Sequence, residues 1–227
     1  MNASVTVWTM QVGAPSEAAL ARWQSVLDQK ETAQAARFRF DKDRHTYIAA
    51  HALLRALLEN LGGRPAASWQ FVESDKGKPY IEPQTGLQFS LSHTNGLVVC
   101  AAANGFSVGI DTESLDRRTT QDDLAQTVLA ASELAIVNAA PSSQRQAMFL
   151  KFWTLREAYV KATGQGIGFP REDFAFTLEP LRIHFTDEAG AADWHLSSWD
   201  EGRHIVSLAA AAPMTLSKRV LTEGELL

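Results

Sequence analysis

Two strand-like runs joined by a very short link limit how this chain can fold. Residues 97–103 are apolar, residues 88–93 alternate polar and apolar side chains, and Thr94-Asn95-Gly96 connects the two runs. Asn-Gly is a strong signal for a two-residue turn, because both residues tolerate the positive φ that such a turn requires. The sequence therefore predicts an antiparallel β-hairpin at this point, followed closely by another strand at 108–111.

The elements on either side of this hairpin place the chain in the α+β class. We predict helices at 16–37, from Asp41 or Asp43 to about Asn60, and at 121–130, 132–139 and 143–163. We predict further strands at 4–11, 68–73, 173–178, 181–186, 192–199 and 203–211. Helices followed by an antiparallel meander thus occur twice, unlike the alternation of a βαβ fold. We expect two α+β halves, residues 1–105 and 106–227.

Charge and hydropathy exclude several classes of protein. The net charge of −5 argues against a nucleic-acid-binding protein. No run reaches the roughly 18 apolar residues of a membrane span, and the N-terminus lacks the basic and apolar regions of a signal peptide. Cys100 is the single cysteine, which suits a reducing compartment. We therefore expect a soluble, cytoplasmic protein.

Asp111 and Glu113 form the first candidate site. Side chains at i and i+2 of a strand point to the same face, so both carboxylates would project together from the end of an apolar strand. Neighbouring like charges raise a carboxyl pKa unless a cation lies between them, and a hard cation such as Mg²⁺ prefers oxygen ligands. The alternative is a pair of solvated acids.

The helix at 143–163 carries the second candidate site. Trp153, Glu157 and Lys161 recur at every fourth position and therefore lie along one face. The apolar Trp153 should turn this face toward the interior or a cleft, which would leave Glu157 and Lys161 partly exposed. The alternative is a surface Glu–Lys pair beside a core tryptophan.

Two loop segments could bind phosphate. Lys76-Gly77-Lys78-Pro79 sets two ammonium groups around a glycine that allows close approach to the backbone. Ser92 and His93 lie at the mouth of the hairpin, but neighbours on a strand point apart, which disfavours a Ser-His hydrolase. Gly164-Gln165-Gly166 follows a helix rather than opening one, so we interpret it as a flexible loop and not as a dinucleotide motif.

The order of these segments resembles the Sfp-type 4′-phosphopantetheinyl transferases. The patterns GKP, F-x-x-SH, V-G-I-D-x-E and W-x-x-[K/R]-E-A-x-x-K follow one another between Arg37 and Gly164. The resemblance implies two similar α+β halves related by a pseudo-twofold axis, with coenzyme A in the cleft between them. It also implies a monomer that transfers 4′-phosphopantetheine from coenzyme A to a serine of an acyl or peptidyl carrier protein, releasing 3′,5′-ADP.

The resemblance further implies roles for individual residues. The ligands of Mg²⁺, or of Mn²⁺, would be Asp111, Glu113 and Glu157, and the catalytic residues would be Glu157 and Lys161. The residues that bind coenzyme A would be Lys42, Arg44, His51, Lys76, Gly77, Lys78, Pro79, Ser92 and His93. Lys42, Arg44 and His51 would lie near the 3′-phosphate, and Lys76 to Pro79 near the adenine.

Three positions depart from the family pattern. Ser90 replaces a common asparagine, Arg156 replaces a lysine, and His51 replaces a frequent arginine. A neutral imidazole binds phosphate less strongly than a guanidinium, so the third change bears on the 3′-phosphate site.

Two other functions use the same residues. A Mg²⁺-dependent hydrolase of nucleoside pyrophosphates would share the carboxylates and lysines but need no carrier protein. A coenzyme A-binding module without chemistry would not need Asp111 and Glu157.

Overall fold

The computed structural model describes residues 3–117, 121–166, 172–187 and 193–227. The first half of the fold comprises β1 (Ala3–Gln11), α1 (Glu17–Gln24), α2 (Gln29–Ala35), α3 (Asp41–Gly62), β2 (Gln70–Glu73), β3 (Pro79–Glu82), β4 (Leu87–Thr94) and β5 (Leu97–Asn104). The second half comprises β6 (Val108–Ser114), α4 (Gln121–Val128), α5 (Ala131–Ala139), α6 (Ser142–Thr163), β7 (Phe174–Leu178), β8 (Leu181–Phe185), β9 (His195–Glu201) and β10 (His204–Ala210). The last strand is β11 (Met214–Leu221).

The first sheet has the strand order β11-β1-β5-β4. β5 is antiparallel to both β1 and β4, whereas β11 runs parallel to β1. Asn95-Gly96 joins β4 to β5 with Gly96 at φ +86°, which confirms the predicted hairpin. The apolar side of α3 packs across one face of this sheet, where Leu53 and Leu57 are fully buried.

The second sheet has the antiparallel order β6-β10-β9, which repeats the antiparallel part of the first sheet, β1-β5-β4, without a strand like β11 among the described residues. α6 packs against β6 and β10, and its Phe149, Phe152 and Leu155 are buried in the same cluster as Ile205. A two-stranded sheet accompanies each half: β2 with β3, and β7 with β8.

The two sheets face each other across an apolar layer. Val5, Val7 and Val99 of the first sheet belong to one fully buried cluster with Ile110 and Leu208 of the second. Because one face of each sheet carries a long helix and the other face meets this layer, both sheets are buried on two sides. The layer fixes β4 next to β6, which positions the site described below.

The two halves resemble each other in detail. α3 and α6 both contain 22 residues, and both end at a left-handed glycine, Gly63 and Gly164. A buried arginine in each helix pairs with a glutamate of the preceding helix, Arg55 with Glu31 at 2.8 Å and Arg156 with Glu133 at 2.7 Å. The α+β class predicted from the sequence is confirmed, with two halves that repeat the same set of elements.

The helices of the first half differ from the prediction at two places. The predicted helix at 16–37 is two helices, because Asp28 starts α2 by accepting a hydrogen bond from the Glu31 backbone N–H at 2.8 Å while Glu31 accepts one from Asp28 N–H. α3 begins after Phe40, which has no capping side chain, so Asp41 and Asp43 lie in its first turn instead of capping it.

The sequence prediction missed two strands. β3 begins at Pro79, within a segment interpreted as a polar turn, and β11 lies beyond the last predicted strand. β11 pairs with β1 from Ala3–Met214 to Met10–Leu221, so the end of the chain completes the sheet of the first half. The division of the chain at 105/106 stays a proposal. β11 follows this boundary in the sequence but pairs with β1, which precedes it. Within the described ranges, none of the helices is long and apolar enough to span a membrane.

Candidate active site

A cleft of about 440 Å³ opens between the two halves. The first half contributes the turn before β3 and one side of β4, and the second half contributes α6 and the loop that follows it. The lining residues are Lys76, Gly77, Lys78, Pro79, Phe89, Ser90, Leu91, Glu157, Val160, Lys161, Gly164 and Gly166. Six residues that the sequence assigned to catalysis or to coenzyme A therefore lie in one cleft.

Asp111 lies beside this cleft on β6 and accepts two hydrogen bonds. Its side chain is 8% exposed, and its Oδ1 accepts from Ser92 Oγ at 2.7 Å and from Lys161 Nζ at 2.6 Å. β6 continues to Ser114, so Asp111 and Glu113 lie within the strand rather than at its end, and both are buried. The alternative of two solvated acids is therefore wrong.

Glu113 is held by three neighbours. Arg117 forms an ion pair with it, the Trp153 indole N–H donates a hydrogen bond to it, and Thr94 Oγ1 lies 3.5 Å from its Oε2. Burial raises the pKa of Glu113, and the charge of Asp111 adds to this rise while Arg117 opposes it. Trp153 thus has a polar contact besides its apolar packing.

Glu157 faces the cleft from α6, one turn before Lys161. Burial is the main cause of its raised pKa, the charges of Asp111 and Glu113 raise it further, and Lys161 opposes them. Among the described residues, no hydrogen bond or ion pair is made by its carboxylate. Glu157 and Lys161 are half-buried, as the sequence predicted. The effect of Asp111 and Glu113 on the pKa of Glu157 shows that these three carboxylates are close enough to repel one another.

Two serines of β4 join the halves beneath the carboxylates. The Ser90 hydroxyl accepts a hydrogen bond from the Ile110 backbone N–H at 3.0 Å, and the Ser92 hydroxyl donates to Asp111. Both are buried, whereas His93 between Ser92 and the turn is exposed, so Ser92 and His93 point apart as predicted. Partial desolvation by the surrounding protein, together with the charges of His51 and Lys161, lowers the pKa of His93.

The donors in this site suit a hard divalent cation in kind, since all three acidic side chains offer oxygens. In the arrangement described, no three His, Cys, Asp or Glu side chains of residues 3–117, 121–166, 172–187 and 193–227 converge closely enough to hold a metal ion. The physical reason is local: Asp111 pairs with Lys161 and Glu113 with Arg117, so cationic side chains balance these charges.

A second cleft of about 720 Å³ adjoins the first and shares Gly77, Pro79, Phe89 and Leu91 with it. Its other lining residues are Asp28, Lys30, Glu31, Gln34, Tyr47, His51, Leu54, Phe71, Val72 and Glu73. His51 Nδ1 lies 2.8 Å from Glu31 Oε1, and its ring stacks on Tyr47 with 4.2 Å between the ring centroids.

The predicted basic residues of α3 are separated from one another. His51 lines the second cleft, whereas Lys42 lines a different cavity of about 200 Å³ with His93 and Thr94. Arg44 forms an ion pair with Asp41 at 2.8 Å. The three residues therefore do not form a single cluster.

Several contacts in and around the site were not predicted. Ser90 was regarded as a departure from a family pattern, yet it bonds the two halves together. Arg117 lies four residues after Glu113. This spacing places two side chains together on a helix, but Glu113 lies on a strand and Arg117 follows that strand, so the spacing predicted no contact. Lys78 Nζ donates to Ala162 O at 2.7 Å, and no local sequence signal relates residues this far apart. Arg156 points away from the cleft into its ion pair with Glu133.

Comparisons with known proteins agree over nearly the whole chain. The family model described as 4′-phosphopantetheinyl transferase superfamily matches residues 107–209, and that described as 4′-phosphopantetheinyl transferase, N-terminal, matches residues 12–105. The 4′-phosphopantetheinyl transferase HetI of Nostoc sp. is 31% identical over 81% of this chain and 79% of its own length. A phosphopantetheinyl transferase of Thraustochytrium sp. is 33% identical over 91% of this chain and 78% of its own length.

Among solved structures, the holo-[acyl-carrier-protein] synthase of Thermotoga maritima aligns with 50% of this chain and 64% of its own, at 24% identity and a TM-score of 0.40. The sequence relatives decide the class: the chain is an enzyme of the transferase type. It belongs to the 4′-phosphopantetheinyl transferase family.

Proposed function

We propose that this chain transfers the 4′-phosphopantetheine group of coenzyme A to a serine of an acyl or peptidyl carrier protein, with Mg²⁺ and with release of 3′,5′-ADP. The observation that carries the proposal is the cleft between the halves, in which Glu157 and Lys161 line the same cavity as the turn from Lys76 to Pro79. Membership of the family favours transfer over the hydrolase and the binding module.

Asp111, Glu113 and Glu157 would hold the Mg²⁺, which supplies positive charge next to the pyrophosphate. The mutual repulsion of these carboxylates supports this assignment. The charge of Asp111 raises the pKa of Glu113 and of Glu157, and a cation between the three groups would remove that contribution. Lys161, one helical turn from Glu157, would contact the pyrophosphate as charge develops on the leaving group.

Glu157 is our candidate for the group that accepts the serine proton. In the reaction, the serine oxygen bonds to the phosphorus that carries the pantetheine arm, the bond from that phosphorus to the oxygen of 3′,5′-ADP breaks, and the serine proton leaves. Burial raises the pKa of Glu157, which strengthens it as a base. The remaining work of the protein is positioning and charge stabilisation.

The nucleotide end of coenzyme A would extend from the first cleft into the second. Gly77 and Pro79 line both clefts, which supports the assignment of their turn to the adenine end. Ser92 and His93 would lie at the phosphates. Of the basic residues proposed for the 3′-phosphate, His51 lines the second cleft, whereas Lys42 and Arg44 would have to approach it from elsewhere on α3.

A single chain supplies both walls of this cleft, which supports a monomer. The free thiol of Cys100 is fully buried, which supports a cytoplasmic enzyme that needs no disulfide.

Intact-mass spectrometry of an apo acyl carrier protein incubated with the enzyme, coenzyme A and Mg²⁺ tests the proposal. We expect the carrier to gain one phosphopantetheine, and to gain none in EDTA or when its acceptor serine is replaced by alanine. If several acyl and peptidyl carriers gained no mass, the proposal would be wrong. The appearance of 3′,5′-ADP without any carrier would instead identify a hydrolase.

A further inference from the structure

Two segments that are far apart in the sequence close one end of the cleft together. The turn from Ser74 to Lys78 is held by its own hydrogen bonds, from Gly77 N–H to Ser74 O at 2.8 Å and from Lys78 N–H to Ser74 Oγ at 3.0 Å. It lies against the end of α6 and the loop after it, where Lys78 Nζ donates a hydrogen bond to Ala162 O at 2.7 Å.

The acceptor of this hydrogen bond is a carbonyl at the end of a helix. The last four carbonyls of an α-helix have no intrahelical donor, and Ala162 is the penultimate residue of α6. The carbonyl of Val160, two residues earlier, accepts from Gly164 N–H at 2.9 Å. Lys78 therefore provides a cationic donor where the partial negative charge of the helix terminus is greatest.

The glycine loop after α6 leaves room for this lysine. Gly164 has φ +69°, and a Cβ at this position would lie 2.8 Å from Lys78 Cδ. A Cβ on Gly166 would lie 3.3 Å from Lys76 O. The stretch Gly164-Gln165-Gly166 is thus more than a flexible loop, because a Cβ on Gly164 would collide with the Lys78 side chain and one on Gly166 would be tight against the turn.

The environment of the Lys78 ammonium also differs from that of an open phosphate site. Its side chain is half-buried, and burial lowers its pKa. Lys76, in contrast, is exposed on the same turn. The two lysines of the turn therefore have different surroundings.

We propose that Lys78 is a positioning residue that fastens the first half to the C-terminal end of α6, and thereby fixes Glu157 and Lys161 relative to the turn that meets the nucleotide. Lys76 is the lysine of the turn that remains available to the ligand. The catalytic consequence rests on the proposed function, whereas the contact itself does not.

Replacing Lys78 by Met removes the ammonium and retains most of the stem, and Lys76→Met is the matched control on the same turn. For Lys78→Met we expect a kcat about 10- to 100-fold lower, since displacements near 1 Å have such effects. We expect the Kd of coenzyme A, measured by calorimetry, to stay within about threefold. Lys76→Met, at a residue that we place at the ligand, should instead raise the Kd of coenzyme A.

Hydrogen exchange, followed by mass spectrometry, separates the contact from the chemistry. Peptides covering 158–166 should exchange faster in Lys78→Met than in the wild type and in Lys76→Met. If Lys78→Met fails to fold, Lys78→Gln, which retains an N–H donor without the charge, is measured in the same way.

Two results overturn the proposal: a Kd for coenzyme A raised about tenfold or more with kcat unchanged, or unchanged kcat together with unchanged exchange at 158–166. If the wild type transfers nothing to any carrier, the proposed function fails, and the exchange experiment still decides whether Lys78 fastens the two halves.

Discussion

At the scale of single residues, the site concentrates negative charge where solvation is poor. Asp111, Glu113 and Glu157 lie on two elements that meet at the cleft, and burial is the first cause of the raised pKa of both glutamates. Such an arrangement costs stability when the groups are ionised. Lys161 and Arg117 offset part of this cost by pairing with Asp111 and Glu113, and the proposed cation would offset more of it.

Glu157→Gln separates a catalytic role of this residue from a structural one. We expect kcat to fall about 10²- to 10⁴-fold, the range for loss of a general base. A carboxyl whose pKa is raised in the folded state destabilises the fold at pH values above its ordinary value of 4.5. The variant should therefore unfold at a higher temperature at pH 7 while losing activity. Glu17→Gln, on an exposed turn of α1, is the control, and near-normal turnover by Glu157→Gln would exclude the residue from the mechanism.

Glu31 supplies a prediction with the opposite sign. Burial alone would raise its pKa, but the hydrogen bond and charge of His51, with further contributions from Asp28 N–H and Arg55, lower it below 4.5. This depressed pKa stabilises the fold above pH 4.5, and the contribution is lost as the pH falls from 4.5 through the folded-state value.

Urea unfolding at a series of acidic pH values tests this linkage. Stability of the wild type should decline more steeply with falling pH below 4.5 than that of Glu31→Gln. The comparison uses the slope, because Glu31→Gln also leaves Arg55 buried without its full partner and is less stable at every pH. Glu17→Gln should keep the wild-type slope, and equal slopes for all three proteins would contradict the role given to Glu31.

Part of the site could be predicted from the sequence because its residues follow local periodicities. The i, i+2 spacing of Asp111 and Glu113 and the i, i+4 spacing of Glu157 and Lys161 place each pair on one face. Their assignment as ligands stays a proposal. The contacts that Ser90, Arg117 and Lys78 make were missed, since each depends on how separate elements meet, which no local pattern encodes.

At the scale of elements, one glycine controls how closely α6 approaches β6. A Cβ on Gly109 would lie 2.0 Å from Ala158 O and 2.4 Å from Ala162 N, both backbone atoms of α6. No side-chain rotation can relieve these contacts, so the helix itself would have to move. Ordinary carbon–oxygen contacts lie at about 3.3 Å or more.

Gly109→Ala should therefore displace α6 together with Glu157 and Lys161. We expect kcat to fall about 100-fold and the free energy of unfolding to fall by about 1–3 kcal/mol, as for overpacking in a core. Gly13→Ala is the control, because nothing lies within 4 Å of its Cβ position. Wild-type kcat in a folded Gly109→Ala protein would show that the separation of α6 and β6 does not govern catalysis.

Elements with strong local signals were predicted well, and elements defined by partners were not. The Asn95-Gly96 hairpin follows from turn chemistry, and α6 matches the helix predicted at 143–163. The break between α1 and α2 depends on the capping box of Asp28 and Glu31, and the prediction of one long helix overlooked this signal. β11 carries several exposed polar residues, and what makes it a strand is its parallel pairing with β1 at the other end of the chain.

At the scale of the whole molecule, a residue far along the sequence packs into the core of the first half. Leu226 is fully buried in the same cluster as Leu53 and Trp23, whereas its neighbour Leu227 is 38% exposed. Arg22 Nε holds this end by donating to Leu227 O at 3.0 Å. The first half is therefore completed by β11 and the residues after it, although the two family matches divide at residue 106.

Leu226→Ala tests whether the end of the chain stabilises the first half. We expect a loss of about 2–5 kcal/mol, as for other buried leucines, and Leu227→Ala should change stability by less than about 0.5 kcal/mol. Hydrogen exchange should accelerate in β1 and α3 rather than in β9 and β10, because the cavity would open beneath the first sheet. Equal stability of the two variants, or faster exchange confined to the second sheet, would contradict this account. A selective loss in the first half would mean that the cleft depends on both ends of the chain, since one of its walls is built on the sheet that β11 completes.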